Sequence, residues 1–388
     1  MFSSRAIVFF FLCLAVFATA RPVRRKACPA KPAANVPVVA QPSLNVVKGG
    51  SAPVTSAAPS ATDAPANPTD VPSSTKGPST KTASGSTKAA RTSDKPAPSS
   101  APSTPGSLTG LLGKLFPVQS SKSWTVSPAS SDALDFSDAT FRPTNVLRAV
   151  PHTYTKAPDG KAAMKAHYPK GSYTFGHNPQ GGFSFYAPGP ASLDLTKAKE
   201  ATFGYSVYFP KGFAFNLGGK LPGLYGGNSA AEAVGCSGGR RSSACFSARL
   251  MWRTDGAGEF YTYLPPYTDG KFAANKRVCN VAPQSDCNPT YGASVGRGSF
   301  KFATGAWTTI SERVRLNDVG QANGELELFV NGKSVVNVSG LILRDSDAGR
   351  IRGMQMQTFF GGSSTPFASP KDQDVYFSDF SAAITKTL

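Results

Sequence analysis

Residues 246–265, FSARLMWRTDGAGEFYTYLP, contain two runs that alternate with period two around a glycine-rich turn. Successive strand side chains point to opposite faces. Phe246, Ala248, Leu250 and Trp252 therefore share one face, and Ser247, Arg249, Met251 and Arg253 share the other. The return run divides in the same way, with Phe260, Thr262 and Leu264 against Glu259, Tyr261 and Tyr263. One face reads as core, and the other as a surface that touches something. Taking TDGAG (254–258) as the hairpin loop sets Arg253 opposite Glu259, Met251 opposite Tyr261 and Arg249 opposite Tyr263, within contact range. A solvated strand face, with arginine stacked on tyrosine and Arg253 paired to Glu259, fits the same alternation.

This texture continues through residues 126–388. Further strand-like runs are 201–209, 245–253, 307–316, 324–330, 334–340, 351–360 and 374–384, and none carries a long helical period. Asn331-Gly332 between two of them is a hairpin signal. Short strands separated by turns predict one all-β domain, a jelly-roll β-sandwich whose curved sheet offers a concave face.

The chain has 388 residues, but composition removes the first third from the folded count. Residues 1–20 pair a basic residue, Arg5, with a short apolar run and Ala18-Thr19-Ala20, the pattern of a signal peptide. The run is too short for a membrane span, and no later stretch is long enough. The expectation is a secreted, extracellular protein. Residues 21–125, rich in Ala, Pro, Ser and Thr, cannot bury enough apolar surface to offset chain entropy and read as a disordered stalk suited to O-glycosylation. Its apolar island, LTGLLGKLFPV (108–118), is either a short helix docking on the domain or a sticky patch.

The stalk carries 13 Lys/Arg against 3 Asp/Glu, and residues 126–388 carry 27 against 20. Much of the net charge of +18 thus belongs to the stalk, which suits contact with a cell wall or another polyanion, although solubility alone explains it. Without interleaved aromatics it does not read as a nucleic-acid surface. Once Cys13 leaves with the signal, five cysteines remain. Short spacing favours Cys236 with Cys245 and Cys279 with Cys287, leaving Cys28 odd. Asn337, in NVS, is an N-glycosylation sequon. No motif calls for a metal or other cofactor, and the acidic Asp345–Asp347 stretch reads as a solvated turn.

Four motifs occur in a fixed order: GGKLPGLYGG (218–227), FSARLMWR followed by GEFYTYLP (246–265), NGELELFVNGK (323–333) and QTFFGGSSTPFASPKDQDVYFSDF (357–380). Through them residues 130–385 resemble polysaccharide lyase family 14, secreted or viral lyases of alginate and glucuronan with a jelly-roll fold. The resemblance implies a catalytic set of Lys220, Ser247, Arg249, Tyr261 and Tyr263. It implies substrate contacts at Arg253, Tyr225, Gln357 and Phe367, the last standing at a position associated with tryptophan in the family.

These residue types suit β-elimination from a 4-linked uronic acid polymer. Lys220 and Arg249 would neutralise the carboxylate and make the C5 proton acidic. Tyr263 would act as base, or as base and acid, with Tyr261 as helper or stacking group and Ser247 orienting the carboxylate. The partner expected on this reading is an acidic polysaccharide. A non-catalytic module of the same fold that binds acidic polysaccharide would keep the same cleft. A glycoside hydrolase would need paired carboxylates, but Glu325 and Glu327 alternate on a hairpin strand and read as a wet face.

Overall fold

The structure is a computed structural model that describes residues 110–388. The expected signal peptide, the stalk up to residue 109 and Cys28 lie outside the described residues. A short helix α1 (Gly110–Leu115) precedes β1 (Lys122–Thr125), helix α2 (Asp138–Phe141), β2 (Thr153–Lys156), β3 (Ala162–Tyr168) and β4 (Phe183–Ala187). Long strands follow: β5 (Ala198–Phe209), β6 (Gly219–Gly227), helix α3 (Ala230–Ala233), β7 (Cys245–Trp252) and β8 (Ala257–Tyr263). The remainder is β9 (Asp286–Cys287), β10 (Ala293–Lys301), β11 (Ala306–Arg315), β12 (Gly324–Val330), β13 (Lys333–Leu341), β14 (Arg350–Phe360) and β15 (Gln373–Thr387).

These strands form two antiparallel sheets, the expected all-β sandwich. One runs β13-β12-β11-β5-β15-β3-β2 with β1 added on β15, and the other β4-β14-β6-β7-β8-β10-β9. Alternation decides what lies between them. Phe246, Ala248, Leu250 and Trp252 of β7 enter the shared core beside Phe203, Tyr205, Phe209 and Phe377 from the opposite sheet. Trp252 is fully buried among Tyr168, Phe209, Phe213 and Phe360, and its indole N–H donates to Phe215 O at 3.0 Å. Truncating such a side chain to alanine costs about 3–5 kcal/mol.

Composition hides β6, because GKLPGLYGG holds four glycines and a proline, which strands avoid. Its glycines answer to neighbouring rings. A Cβ on Gly219 would lie 2.0 Å from the Trp252 indole, and one on Gly226 would lie 2.5 Å from the Phe246 ring. Large aromatics of β7 fill the space that β6 leaves empty.

The β7–β8 hairpin departs from the expected register. Arg249 faces Tyr261, Ser247 faces Tyr263 and Met251 faces Glu259. Asp255 and Gly256 adopt positive φ and close the loop two residues early, so Ala257 and Gly258 join the strand. A shift of two residues preserves the division into faces, whereas a shift of one would have reversed it.

Glu325 and Glu327 are not a wet face. Both are largely buried and, with Glu200, pair with Arg313 at 2.7–2.8 Å. Period two gives the direction of a side chain but not what covers it. Of the two readings of the apolar island, docking holds. Leu115 and Phe116 are buried against the outer side of the larger sheet, with Ala383, and Leu115 lies beside Gly204. Both Cys236–Cys245 and Cys279–Cys287 are bonded. Asn337 lies exposed on β13. No helix among the described residues is long and apolar enough to cross a membrane.

Candidate functional site

The outer face of the smaller sheet gathers the polar residues of β6, β7, β8 and β14. At its centre β6 carries one extra residue: Leu221 pairs with Leu250 and Leu224 with Ala248, leaving Pro222-Gly223 as a bulge beside Arg249. Gly223 is required there, because a Cβ would lie 2.1 Å from Ala248 O and 2.6 Å from the Arg249 Cα. Arg249 donates from Nη1 to Gln357 Oε1 on β14, at 2.7 Å. Its Nε is buried and, among the described residues, has no partner.

The bulge is held from within the core. Tyr205 donates its hydroxyl proton to Pro222 O at 3.1 Å, and the Leu224 N–H donates to the carboxyl of Glu312. Glu312 comes from β11 in the opposite sheet and is buried, so its pKa is driven well above the ordinary carboxylate range. Burial thus favours its neutral form, while one carboxyl oxygen satisfies an N–H that the bulge withdraws from the ladder and the other makes no hydrogen bond among the described residues. Sequence reading missed it because alternation alone leaves no mark that an inward glutamate has a partner in the other sheet.

Lys220 lies on β6 with its ammonium 3.5 Å from the Tyr261 ring centroid and 2.7 Å from the Met251 sulfur. Among the described residues no carboxylate forms an ion pair with it, and Glu259 acts on it only at longer range. Burial first, then repulsion from Arg249 and Arg253, pushes its pKa well below the usual lysine value. Tyr261 sits between Lys220 and Arg253, the latter 5.7 Å from its centroid, and packs edge-on to Tyr263 at 5.8 Å. Burial and the neighbouring Tyr263 raise the Tyr261 pKa, so it keeps its proton at neutral pH. The Arg249 guanidinium lies 5.8 Å from the Tyr263 ring. Gly292 makes room for both tyrosines, since a Cβ there would come within 2.7 Å of each ring.

All five expected catalytic residues therefore share one site, but not on an open surface. The segment between β6 and β7, closed by Cys236–Cys245, lies over Ser247 and Tyr263. Ser247 is fully buried and donates to Cys236 O at 2.8 Å, and Gly239 N–H donates to the Tyr263 hydroxyl at 3.0 Å. Arg249 is only 1% exposed. A pattern of alternation carries no information about a distant loop folding back over the face.

Of the expected substrate contacts, Gln357 joins the site through Arg249 and also accepts from Gln355 Nε2 at 2.9 Å. Tyr225 follows the bulge, packed edge-on to Tyr186 at 4.8 Å, and burial with Tyr186 pushes its phenol up to about 12. Arg253 binds Glu259 through Nε at 2.8 Å and Nη2 at 2.7 Å. Phe367 is half-buried in the loop after β14, lying against Gly362. Arg297 was not anticipated, although glycines on both sides of it in VGRGS marked an irregular strand.

A buried cluster of cations and tyrosines on the outer face of one sheet, poorly balanced by carboxylates, defines a β-sandwich protein that handles anionic ligands. The comparisons give the family. Residues 156–380 match the family model for polysaccharide lyase 14, more than half of the chain and including every expected catalytic residue, and the chain belongs to that family. The structure is similar to that of a PL-14 alginate lyase from Aplysia kurodai, with 32% identity, a TM-score of 0.56 and coverage of 69% of this chain and 100% of that one. It is also similar to the alginate lyase vAL-1 from Chlorella virus, with 29% identity, a TM-score of 0.51 and coverage of 63% and 93%. Exolysin of Paramecium bursaria Chlorella virus 1 is 27% identical over 173 residues, 41% of this chain. The chain spans 25% of the length of that curated relative.

Proposed function

We propose that this protein is a secreted lyase that cleaves a 4-linked uronic acid polymer, alginate in the first place and glucuronan as the other candidate, by β-elimination. The observation that carries the reading is the pair Arg249 and Lys220. Among the described residues one has an unpartnered buried donor and the other forms no ion pair, and they lie beside Tyr263 and Tyr261. A uronate carboxylate supplies what both cations lack.

With the carboxylate bound, Arg249 and Lys220 stabilise the negative charge that develops as the C5 proton leaves. Tyr263 takes that proton in its phenolate form, with the Gly239 N–H directed at its oxygen and the Arg249 guanidinium 5.8 Å from its ring. The C4–O bond breaks, a double bond forms between C4 and C5, and a proton passes to the leaving oxygen. Tyr261, protonated at neutral pH, carries the proton for that last task. Gln357 positions Arg249, while Ser247 anchors the covering segment through Cys236 O. Two disulfides and the N-terminal sequence support an extracellular location.

The test follows ultraviolet absorbance of the unsaturated uronide during incubation with polymannuronate, polyguluronate, glucuronan and pectate. Absorbance should rise with at least one polymer and stay flat for Lys220→Ala and Tyr263→Phe. A flat trace for the wild type on all four, with binding retained, would replace the lyase by a module that binds acidic polysaccharide.

A further inference from the structure

Glu259 is a fully buried carboxylate on the same outer face. Arg253 meets it through two nitrogens, Arg297 donates through Nε at 2.8 Å and Ser294 donates its hydroxyl at 2.5 Å. Arg297 also donates from Nη2 to Ser294 Oγ at 2.9 Å. Two guanidiniums around one carboxylate leave a surplus positive charge. Both stay accessible, with side chains 16% and 26% exposed, whereas Glu259 is at 0%. Among the described residues neither Nη1 makes a hydrogen bond.

The local backbone is shaped to deliver Arg297 to this spot. Pairing between β10 and β8 breaks from Val295 to Phe300, and Gly296 and Gly298 take positive φ on either side of Arg297. Arg297 N–H donates to Gln284 O at 2.7 Å, and Gly296 N–H to Ser285 Oγ at 3.0 Å. Stability does not explain the arrangement, because a buried ion pair contributes little net stability compared with apolar side chains of the same volume. A buried carboxylate does fix two guanidiniums in one orientation, which lowers the entropy lost when they bind an anion.

Arg253 lies four residues along the strand from Arg249, about 13 Å at strand rise, and next to Tyr261. We propose that Arg253 and Arg297, oriented by Glu259, form a second carboxylate subsite that holds a uronate further along the same polymer than the one at Arg249. This rests on the polyuronate reading above. Glu259 is a positioning residue here and does not touch the sugar.

The subsite is tested with a series of oligouronates of increasing length and with polymer, comparing wild type with Arg297→Ala and Arg297→Lys. Wild-type KM should drop stepwise at the length that first reaches the subsite. In Arg297→Ala that step should vanish, raising polymer KM about tenfold, as expected for one charge-assisted hydrogen bond. Its kcat should stay within about twofold, and KM for shorter oligomers should be unchanged. Arg297→Lys should restore part of the step. A curve displaced equally at all lengths, or not displaced, would overturn the proposal, because a merely structural role has no length threshold. If the wild type cleaves no polyuronate, the lyase reading fails by itself. The subsite is then judged by the same length series in direct binding, where loss of the step supports it and an unchanged curve rejects it.

Discussion

Replacing Arg249 by lysine keeps the charge and removes the fork. Arg249 spends Nη1 on Gln357 and keeps Nε buried, without a partner among the described residues. A lysine ammonium offers its three donors from one nitrogen on a flexible stem, so it cannot hold Gln357 and also present the carboxylate with a rigid second nitrogen. The loss falls on the transition state, where charge on the substrate grows. Removing one preorganised donor of this kind costs about 2.7–4 kcal/mol, or about 10²–10³ in kcat. Stability should change far less, because Gln357 Oε1 keeps its bond from Gln355. A single lost hydrogen bond is worth about 0.5–1.5 kcal/mol, a few degrees in Tm for a domain of this size. Initial rates from the ultraviolet signal, run beside a thermal melt, separate the two effects. A folded Arg249→Lys variant within about tenfold of wild-type kcat, or 1.4 kcal/mol, would refute the role assigned to the fork.

Lys220 should take up a proton when substrate binds. Burial and two arginines lower its pKa in the empty site, and an arriving carboxylate raises it again. Between those two values the complex holds more protons than the free protein, and affinity falls as pH rises towards the bound value. Calorimetric titration of Tyr263→Phe with an oligouronate, in buffers of different ionisation enthalpy from neutral to alkaline pH, measures this directly, and no net uptake at any pH would contradict it. Glu312→Gln should flatten the pH dependence of stability. A carboxyl whose folded pKa is raised contributes stability that is full below the unfolded value and is lost as pH rises through the folded value. The wild-type Tm should therefore fall relative to the glutamine variant from acid to neutral pH, and parallel curves would show that Glu312 is not held protonated.

Much of the site was legible because period two is a local rule. Ser247, Arg249, Met251, Tyr261 and Tyr263 share a face whichever register the hairpin adopts, provided that it shifts by an even number of residues, and it shifted by two. The motif around Lys220 was visible only by resemblance, since its glycines and proline obscure a strand that exists because Trp252 and Phe246 occupy the missing side-chain space. Arg297 left only the trace of its two flanking glycines.

By itself the sequence determined the sandwich, the two faces of the central hairpin and the two disulfides, because these follow from alternation, turn residues and short spacing along the chain. Tertiary structure alone decided that the polar face is roofed by the Cys236–Cys245 segment. It alone paired Glu312 of one sheet with the Leu224 N–H of the other, and buried Glu325 and Glu327 around Arg313. Each of these joins groups far apart in sequence or reflects what finally covers them. Desolvation and unpaired donors exist only once the chain has excluded water from them.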